Sequence, residues 1–449
     1  MKKIAISVLV PSLNRAKYIE KCLKSIHNQT LNNIEVICID AGSTDGTIDV
    51  IDEYVKKDSR FIRVDSPRKS YGFQLNTAID IAQGEYVTIV ESDDYILPDA
   101  CEFLYKNASE NKLDFFRSGV NQFLIINNQE IVYKQIFFLP SKDINKVYSG
   151  QISLENRLKA VVSILGTAYR KEFLKGKDIR ANESSGASFQ DVGFCIQVNS
   201  MANRFMYSNK PVYNKKMDNE DSSIYAVKNN NVLISEYEFL DTKVDAGKAN
   251  REIVYHQQIM DYYWRLQVSE KQVRQQFLSE IHDRIIAISC YEYKVPLTEV
   301  ERFQIEILLG NLKKFEDCEK GTENNALYYN KLFYGKEPIV VVSMGKLGKK
   351  LIALQKYYGR RSICAVCDND KNLQGDIIDD YVVLSVEKAV NEHKDAVFIV
   401  ANKLYSNEIQ SQLISLGIEI SRILLVTSLP AIGDIVKNMK TITNGLQGK

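Results

Sequence analysis

Apolar residues recur in two alternating rhythms along the first hundred positions. Ile4 to Val10 is a near-continuous apolar run, after which Tyr18, Ile19, Cys22, Leu23 and Ile26 return at helical spacing. Ile34 to Ile39 predicts a second strand. Beyond the turn Ala41-Gly42-Ser43-Thr44, Ile48, Ile51 and Val55 predict a second helix. A short strand at Phe61 to Val64, a helix over about Phe73 to Ala82 closed by Gly84, and a strand from Glu85 to Val90 continue the series. This βαβαβ alternation predicts an α/β fold with a mostly parallel, doubly wound sheet, whose ligands bind beyond the carboxyl ends of the strands.

Past Leu113 the rhythm loosens into aromatic-rich strands at 114–118, 122–126 and 131–138 and a helix over about 154–162. A polar loop, Asn182 to Ser188, leads into Phe189-Gln190-Asp191-Val192-Gly193-Phe194. From about Asn231 to Phe315 the pattern is helical, with the single Trp264 beside Tyr262, Tyr263 and Leu266, where a helix core is the plainest account. Asn324 to Glu337 reads as a linker, and Ile339 to Ser343 starts a second βαβ series that ends near Pro430. The expected division is therefore 1–225, 226–325 and 337–430.

Composition narrows the function. The chain of 449 residues is long enough for two to four domains. Its formal net charge of +1 lacks the positive field that nucleic-acid binding uses. No apolar stretch approaches the roughly 18 to 20 residues that span a bilayer, and no signal peptide is expected. Eight cysteines scattered mostly through apolar segments read as reduced core residues of a cytoplasmic protein. The four histidines show no ligand spacing, so a metal would have to be held by carboxylates.

Val90-Glu91-Ser92-Asp93-Asp94-Tyr95 puts three carboxylates immediately after an apolar strand. Such crowding suits a hard cation, Mg²⁺ or Mn²⁺, which needs only one or two protein carboxylates when substrate phosphates complete its shell. The same residues also fit a solvated acidic turn in which Asp93 or Asp94 caps the next helix. After the second strand, Asp40 can accept hydrogen bonds from a base or ribose, Gly42 permits close approach, and Asp45 is placed to cap a helix. Pro11-Ser12-Leu13-Asn14 offers backbone groups at the end of the first strand.

In order along the chain, the Pro-Ser-x-Asn turn at 11–14, Ser25 with Gln29-Thr30, Asp40-x-Gly-Ser-Thr-Asp-Gly-Thr, Asn76, Ala82-x-Gly-Glu-Tyr and Ser92-Asp93-Asp94 with Pro98-Asp99 resemble the family 2 glycosyltransferases of the GT-A fold. The resemblance implies a GT-A nucleotide-diphospho-sugar transferase domain over 1–225. Its donor site would use Pro11, Ser12, Asn14, Asp40, Gly42, Gly72, Asn76, Glu91 and Asp93. Glu91 and Asp93 would stand at the two ends of the family's Asp-x-Asp motif, with the metal on Asp93 and Asp94 as the alternative ligand if the motif is read one residue later. Gly186 to Phe194 is similar to the family's acceptor-side segment, which makes Asp191 the expected catalytic base. Tyr213 to Ser223, with Asp218, Asn219, Asp221, Ser222 and Ser223, resembles a segment that closes over the donor. Ala41, Leu13, Leu75 and Glu91 depart from the family's usual residues, which leaves the nucleobase and the diphosphate contacts open.

What this implies is an inverting, metal-dependent glycosyltransferase. It would move sugar from a nucleoside-diphosphate sugar, a UDP-sugar first, to a hydroxyl of a glycan or lipid-linked glycan in bacterial surface polysaccharide biosynthesis. Peripheral association with the inner face of the plasma membrane is compatible with it. The rival from another class is a non-catalytic nucleotide-sugar-binding or scaffold protein of the same pathway. A nucleotidyltransferase is disfavoured, since no Gly-rich, basic phosphate loop stands near the N-terminus.

Ile339-Val340-Val341-Val342-Ser343-Met344-Gly345-Lys346-Leu347-Gly348 reads as strand, turn and helix with two of the three fingerprint glycines, and Asp368 follows near the expected distance. It resembles the Rossmann-like domains appended to some bacterial polysaccharide-biosynthesis proteins. A second nucleotide site at Gly345, Gly348 and Asp368 is one expectation, and a structural or protein-contact role is the other. Cys364 and Cys367 should point to opposite faces of their strand and act as packing residues.

Overall fold

The computed structural model describes residues 3–126, 129–136, 143–158, 163–216, 231–269, 271–313, 315, 337–345, 347–349, 351–352, 355, 361–402 and 405–426. The Asp218 to Ser223 segment and the 324–336 linker lie outside the described residues. The chain divides into two compact units, Met1–Leu312 and Lys313–Lys449.

In the first unit, β1 (Ile6–Ser12) and β2 (Ile34–Asp40) are buried at every position. Helices on both faces of a parallel sheet leave no wet side, so these strands are mostly apolar rather than alternating, and the buried Ser7 and Glu35 within them satisfy each other by a hydrogen bond. They pair with β3 (Phe61–Asp65) and β4 (Tyr86–Ile89) in the parallel order β3-β2-β1-β4. The register sets Ser12 opposite Asp40 at the carboxyl ends of β1 and β2. Between the strands run α1 (Ala16–His27), α2 (Thr47–Lys57) and α3 (Tyr71–Ile81). The face of α1 that meets the sheet carries Ile19, Cys22, Leu23 and Ile26, the helical spacing seen in the sequence.

Past β4 the sheet becomes mixed. It adds β5 (Tyr95–Ile96), α4 (Ala100–Glu110), β6 (Phe115–Ile126), β7 (Gln129–Ile136), β8 (Tyr148–Ser149), α5 (Leu154–Leu158), β9 (Thr167–Arg170), α6 (Lys171–Gly176), α7 (Gln190–Met201) and β10 (Arg204–Lys216). The order runs β3-β2-β1-β4-β9-β6-β10-β5, with β9 antiparallel to both its neighbours. Four further helices, α8 (Asn231–Asp245), α9 (Arg251–Val268), α10 (Lys271–Ser289) and α11 (Glu299–Leu308), fall within this same unit. Asn250 caps α9 by accepting from the Glu252 and Ile253 amides, and Thr298 with Glu301 forms a capping box on α11. Leu233, Tyr237 and Leu240 of α8 are wholly buried. Among the described residues, no helix is long and apolar enough to cross a membrane.

The second unit holds β11 (Ile339–Val342), β12 (Ile363–Cys367), β13 (Ile377–Ile378), β14 (Tyr381–Leu384), α12 (Val386–Glu392), β15 (Val397–Val400), α13 (Ser406–Ser415) and β16 (Ile423–Leu425). Its sheet order is β13-β14-β12-β11-β15-β16, parallel except for the β13–β14 pair. Cys367 is buried, whereas Cys364 is partly exposed and points its thiol at the Ile339 carbonyl.

Candidate active site

The loops after β1 and β2 are tied to each other by side chains. Asp40, 1% exposed, accepts from Ser12 Oγ at 2.7 Å, from Ser43 Oγ at 2.6 Å, and from the Gly42 and Ser43 amides at 2.9 and 2.7 Å. Gly42 has φ +83°, which lets the loop fold back over this carboxylate. Asn14 Oδ1 accepts from the Thr44 amide, and the Asn14 amide donates to Ser43 Oγ. Asp45 joins the starts of two helices, because one oxygen accepts from the Ala16 amide that begins α1 and the other from Thr47, which begins α2. Gln74 of α3 then donates to the carbonyls of Ser12 and Ile39, fixing α3 to both strand ends.

Glu91, Asp93 and Asp94 follow β4. Glu91 is half-buried and accepts from the Tyr71 hydroxyl of α3. Asp94 is 4% exposed and fully engaged, accepting from the Tyr213 hydroxyl at 2.8 Å and the Lys216 amide at 2.7 Å. The Tyr213 oxygen also accepts from the Glu91 amide, so one phenol links both ends of the acidic turn. Asp93 is half-buried.

Asp191 is brought to this turn from α7. The Gly186 carbonyl accepts from the Tyr71 amide and its amide donates to the Lys69 carbonyl, both at 2.8 Å, which pins the loop before α7 across the start of α3. Burial raises the Asp191 carboxyl, opposed by the Lys215 ammonium. Burial likewise lifts Glu91 to about 7, with the charges of Asp93 and Asp191 adding to the rise. Asp94 is raised for the same first reason, followed by Asp93. Negative charge thus exceeds what Lys215 offsets, and that surplus favours either protons or an added cation.

Gly72 and Asn76 are turned elsewhere. A β-carbon on Gly72 would lie 1.8 Å from the Asn182 carbonyl oxygen. Asn76 donates to the Ala181 carbonyl and Glu183 Oε1 and accepts from the Ala181 amide. Both residues hold the 181–183 segment, and through it the approach to α7. Sequence reasoning passed over Tyr71, Glu236 and Asp261, and marked Tyr213 and Lys215 only as part of a segment that closes over the donor. Glu236 of α8 is raised to about 8, first by burial, with Asp191 adding to the rise and the Asn182 amide opposing it. No local spacing rule marks Tyr71, Glu236 and Asp261, which come from α3, α8 and α9.

The donor set fits a divalent ion that takes one or two carboxylates from protein. Asp93 is half-buried, and the adjoining Asp94 is buried with one donor on each oxygen. Among the described residues, no group of three or more His, Cys, Asp or Glu side chains stands close enough to form a complete metal cage.

In the second unit, a cavity of about 270 Å³ is lined by Ser343, Asp368, Asn369, Asn402, Tyr405 and Gln412, among others. Asp368 accepts from the Met344 and Asp370 amides, so it organises the glycine turn itself. A β-carbon on Gly348 would lie 1.8 Å from the Ser343 carbonyl oxygen, whereas Gly345 faces open space.

Residues 7–156 match the family model described as glycosyl transferase family 2, and residues 335–424 match that described as C2185-like, N-terminal. The putative glycosyltransferase EpsH of Bacillus subtilis is 29% identical over 225 residues, 48% of this chain and 62% of that protein. The glycosyltransferase GlyG of Streptococcus pneumoniae is 39% identical over 110 residues, 24% of this chain and 36% of its own length. The chain thus spans less than two thirds of the length of either relative. Among solved structures, S. aureus TarS 1-349 in complex with UDP-GlcNAc superposes with a TM-score of 0.50 at 20% identity, covering 63% of this chain and 81% of that one. At that identity the likeness speaks for the fold.

Proposed function

We propose, from the premise that this chain carries a family 2 glycosyltransferase domain of the GT-A fold, that it transfers a sugar from a nucleoside-diphosphate sugar to a hydroxyl of a glycan acceptor, with inversion at the anomeric carbon. The observation that supports this reading is that the charges of Asp93 and Asp191 both act on Glu91, in the loop that follows the parallel strand β4, on the sheet whose β1 and β2 ends carry the cross-tied loops of Asn14 and Asp40. In α/β sheets the crevice beyond such strand ends is where ligands bind. TarS binds UDP-GlcNAc, which supports a UDP-sugar as the first donor to test. Both relatives are bacterial proteins whose names say glycosyltransferase, which supports the transfer itself; a place in bacterial surface polysaccharide biosynthesis is part of the proposal.

In this reading the loops at 11–14 and 40–43 hold the nucleoside, using backbone groups that the Asp40 network has already oriented. Mg²⁺ or Mn²⁺ on Asp93, with Asp94 beside it, would supply stabilisation of the negative charge gathering on the departing diphosphate. Glu91 is held by Tyr71 against the donor side. Asp191 takes the acceptor hydroxyl's proton as that oxygen bonds to the anomeric carbon, whose bond to the diphosphate oxygen breaks with its electron pair leaving on the phosphate. A carboxylate raised by burial is a stronger base than one in water, which suits this role.

The test is to incubate the protein with a panel of nucleoside-diphosphate sugars and Mn²⁺ and measure the nucleotide released. The expected product is nucleoside diphosphate, lost in Asp93→Ala. Formation of nucleoside triphosphate and sugar 1-phosphate when pyrophosphate is added, or no release by protein that binds the donor, would overturn the reading in favour of a nucleotidyltransferase or a binding protein.

A further inference from the structure

The carboxylate cluster has a wall that the chemistry above leaves unused. On α9, Gln257, Asp261 and Trp264 are spaced by four and three residues and therefore share one face. Asp261 accepts from the Tyr237 hydroxyl at 2.6 Å and from the Gln257 amide at 2.8 Å. Its carboxyl is raised to about 6, chiefly by burial, and the charge of Asp191 contributes. This face of α9 accordingly looks toward the start of α7. One turn beyond Asp261, the Trp264 ring stands edge-to-face with Phe189, centroids 6.1 Å apart and planes at 70°. Phe189 precedes Asp191 by two residues and has φ +69°, a left-handed conformation that a bulky side chain rarely adopts. Strain of that kind persists where the surroundings over-determine it, as the Gly186 tether does here. Both rings are half-buried.

An aromatic pair bordering half-buried carboxylates matches the two-sided chemistry of a pyranose. Its C–H face can lie on an aromatic surface while its hydroxyls meet acidic acceptors at the edge. An acyl chain would gain from the rings but would have to crowd against carboxylates it cannot bond. We propose that Trp264 and Phe189 form the platform on which a pyranose ring of the acceptor stacks, presenting its hydroxyl to Asp191. The platform's assignment to the acceptor rests on the transferase reading of the site.

Trp264 is the chain's single tryptophan, so its emission reports on this platform alone. Full-length protein titrated with the methyl β-glycosides of glucose, galactose and N-acetylglucosamine should show a saturable change in tryptophan emission with at least one of them. Phe189→Ala should weaken that response on the order of tenfold, about 1.4 kcal/mol. With the responding glycoside as acceptor, Trp264→Ala should raise the acceptor KM by a similar factor while the donor KM moves less than about twofold, and Trp264→Phe should recover most of the loss. Flat emission with every glycoside, an equal rise in both KM values, or a response only to phospholipid vesicles would overturn the platform. Protein whose emission responds to a glycoside but which releases no nucleoside diphosphate from any donor would overturn the transferase reading instead, and the titration would still stand for a sugar platform.

Discussion

Gly193 of α7 lies so close to Glu236 of α8 that a β-carbon on it would stand 2.0 Å from Glu236 Oε1. Glu236 is 1% exposed and held by the Asn182 amide at 2.9 Å, so it has little room to yield. Gly193→Ala should therefore cost about 1–3 kcal/mol of stability, the usual range for overpacking. Chemical denaturation would measure it. The double variant with Glu236→Ala should lose less than the sum of the two single changes, since the clash then has no partner.

The same glutamate predicts a pH dependence of stability. Burial is the main reason its folded carboxyl is raised, from 4.5 to about 8. A raised group contributes stability that is complete below its unfolded value and is lost as pH climbs through the folded one. Stability should thus fall between about pH 4.5 and pH 8, with this group adding a slope approaching 1.4 kcal/mol per pH unit. Glu236→Gln should flatten that part of the profile in urea titrations run at several pH values.

Asp191→Asn removes the proposed proton acceptor while keeping size and polarity. Turnover should drop by about 10²- to 10⁴-fold, whereas donor affinity, measured by calorimetry with the nucleoside diphosphate, should stay close to that of the unchanged protein. Turnover near the original level would take Asp191 out of the role.

Tyr213→Phe removes the hydroxyl that joins the Glu91 amide to Asp94 Oδ2. Asp94 then loses a donor while remaining buried, at a cost of about 1–3 kcal/mol. The acidic turn should also loosen, which would show as weaker Mn²⁺ dependence of donor hydrolysis. Unchanged stability and unchanged Mn²⁺ response would refute the linking role.

The first sheet was readable from the sequence for a physical reason. A strand covered on both faces, such as Ile34–Asp40, declares itself by a mostly apolar stretch, here Val36 to Ile39, without polar alternation. Asp45 was equally recognisable as a helix cap, but nothing local reveals that it serves α1 as well as α2, because Ala16 lies 29 positions away. Tyr71 escaped notice because an aromatic near apolar positions reads as core, and Tyr213 was legible only as the start of a segment that closes over the donor. Their part in the site comes from hydroxyls that reach carboxylates 20 and 119 positions distant. Gly72 and Asn76, which the resemblance assigns to the donor, meet the 181–183 segment in the structure, a contact that spans more than 100 positions. The turn of Phe189 into the left-handed region has no compositional mark at all, since turn chemistry would favour glycine or asparagine there.

The burial of Leu233, Tyr237 and Leu240 in the first unit bears on how such proteins can be cut and recombined. A polypeptide stopped at residue 225 would uncover the outer side of α7 and release Glu236 from Gly193. Proteolytic trimming or shuffling that seeks a self-sufficient piece should find its seam near residue 312, so the helices would be inherited with the sheet as one heritable block.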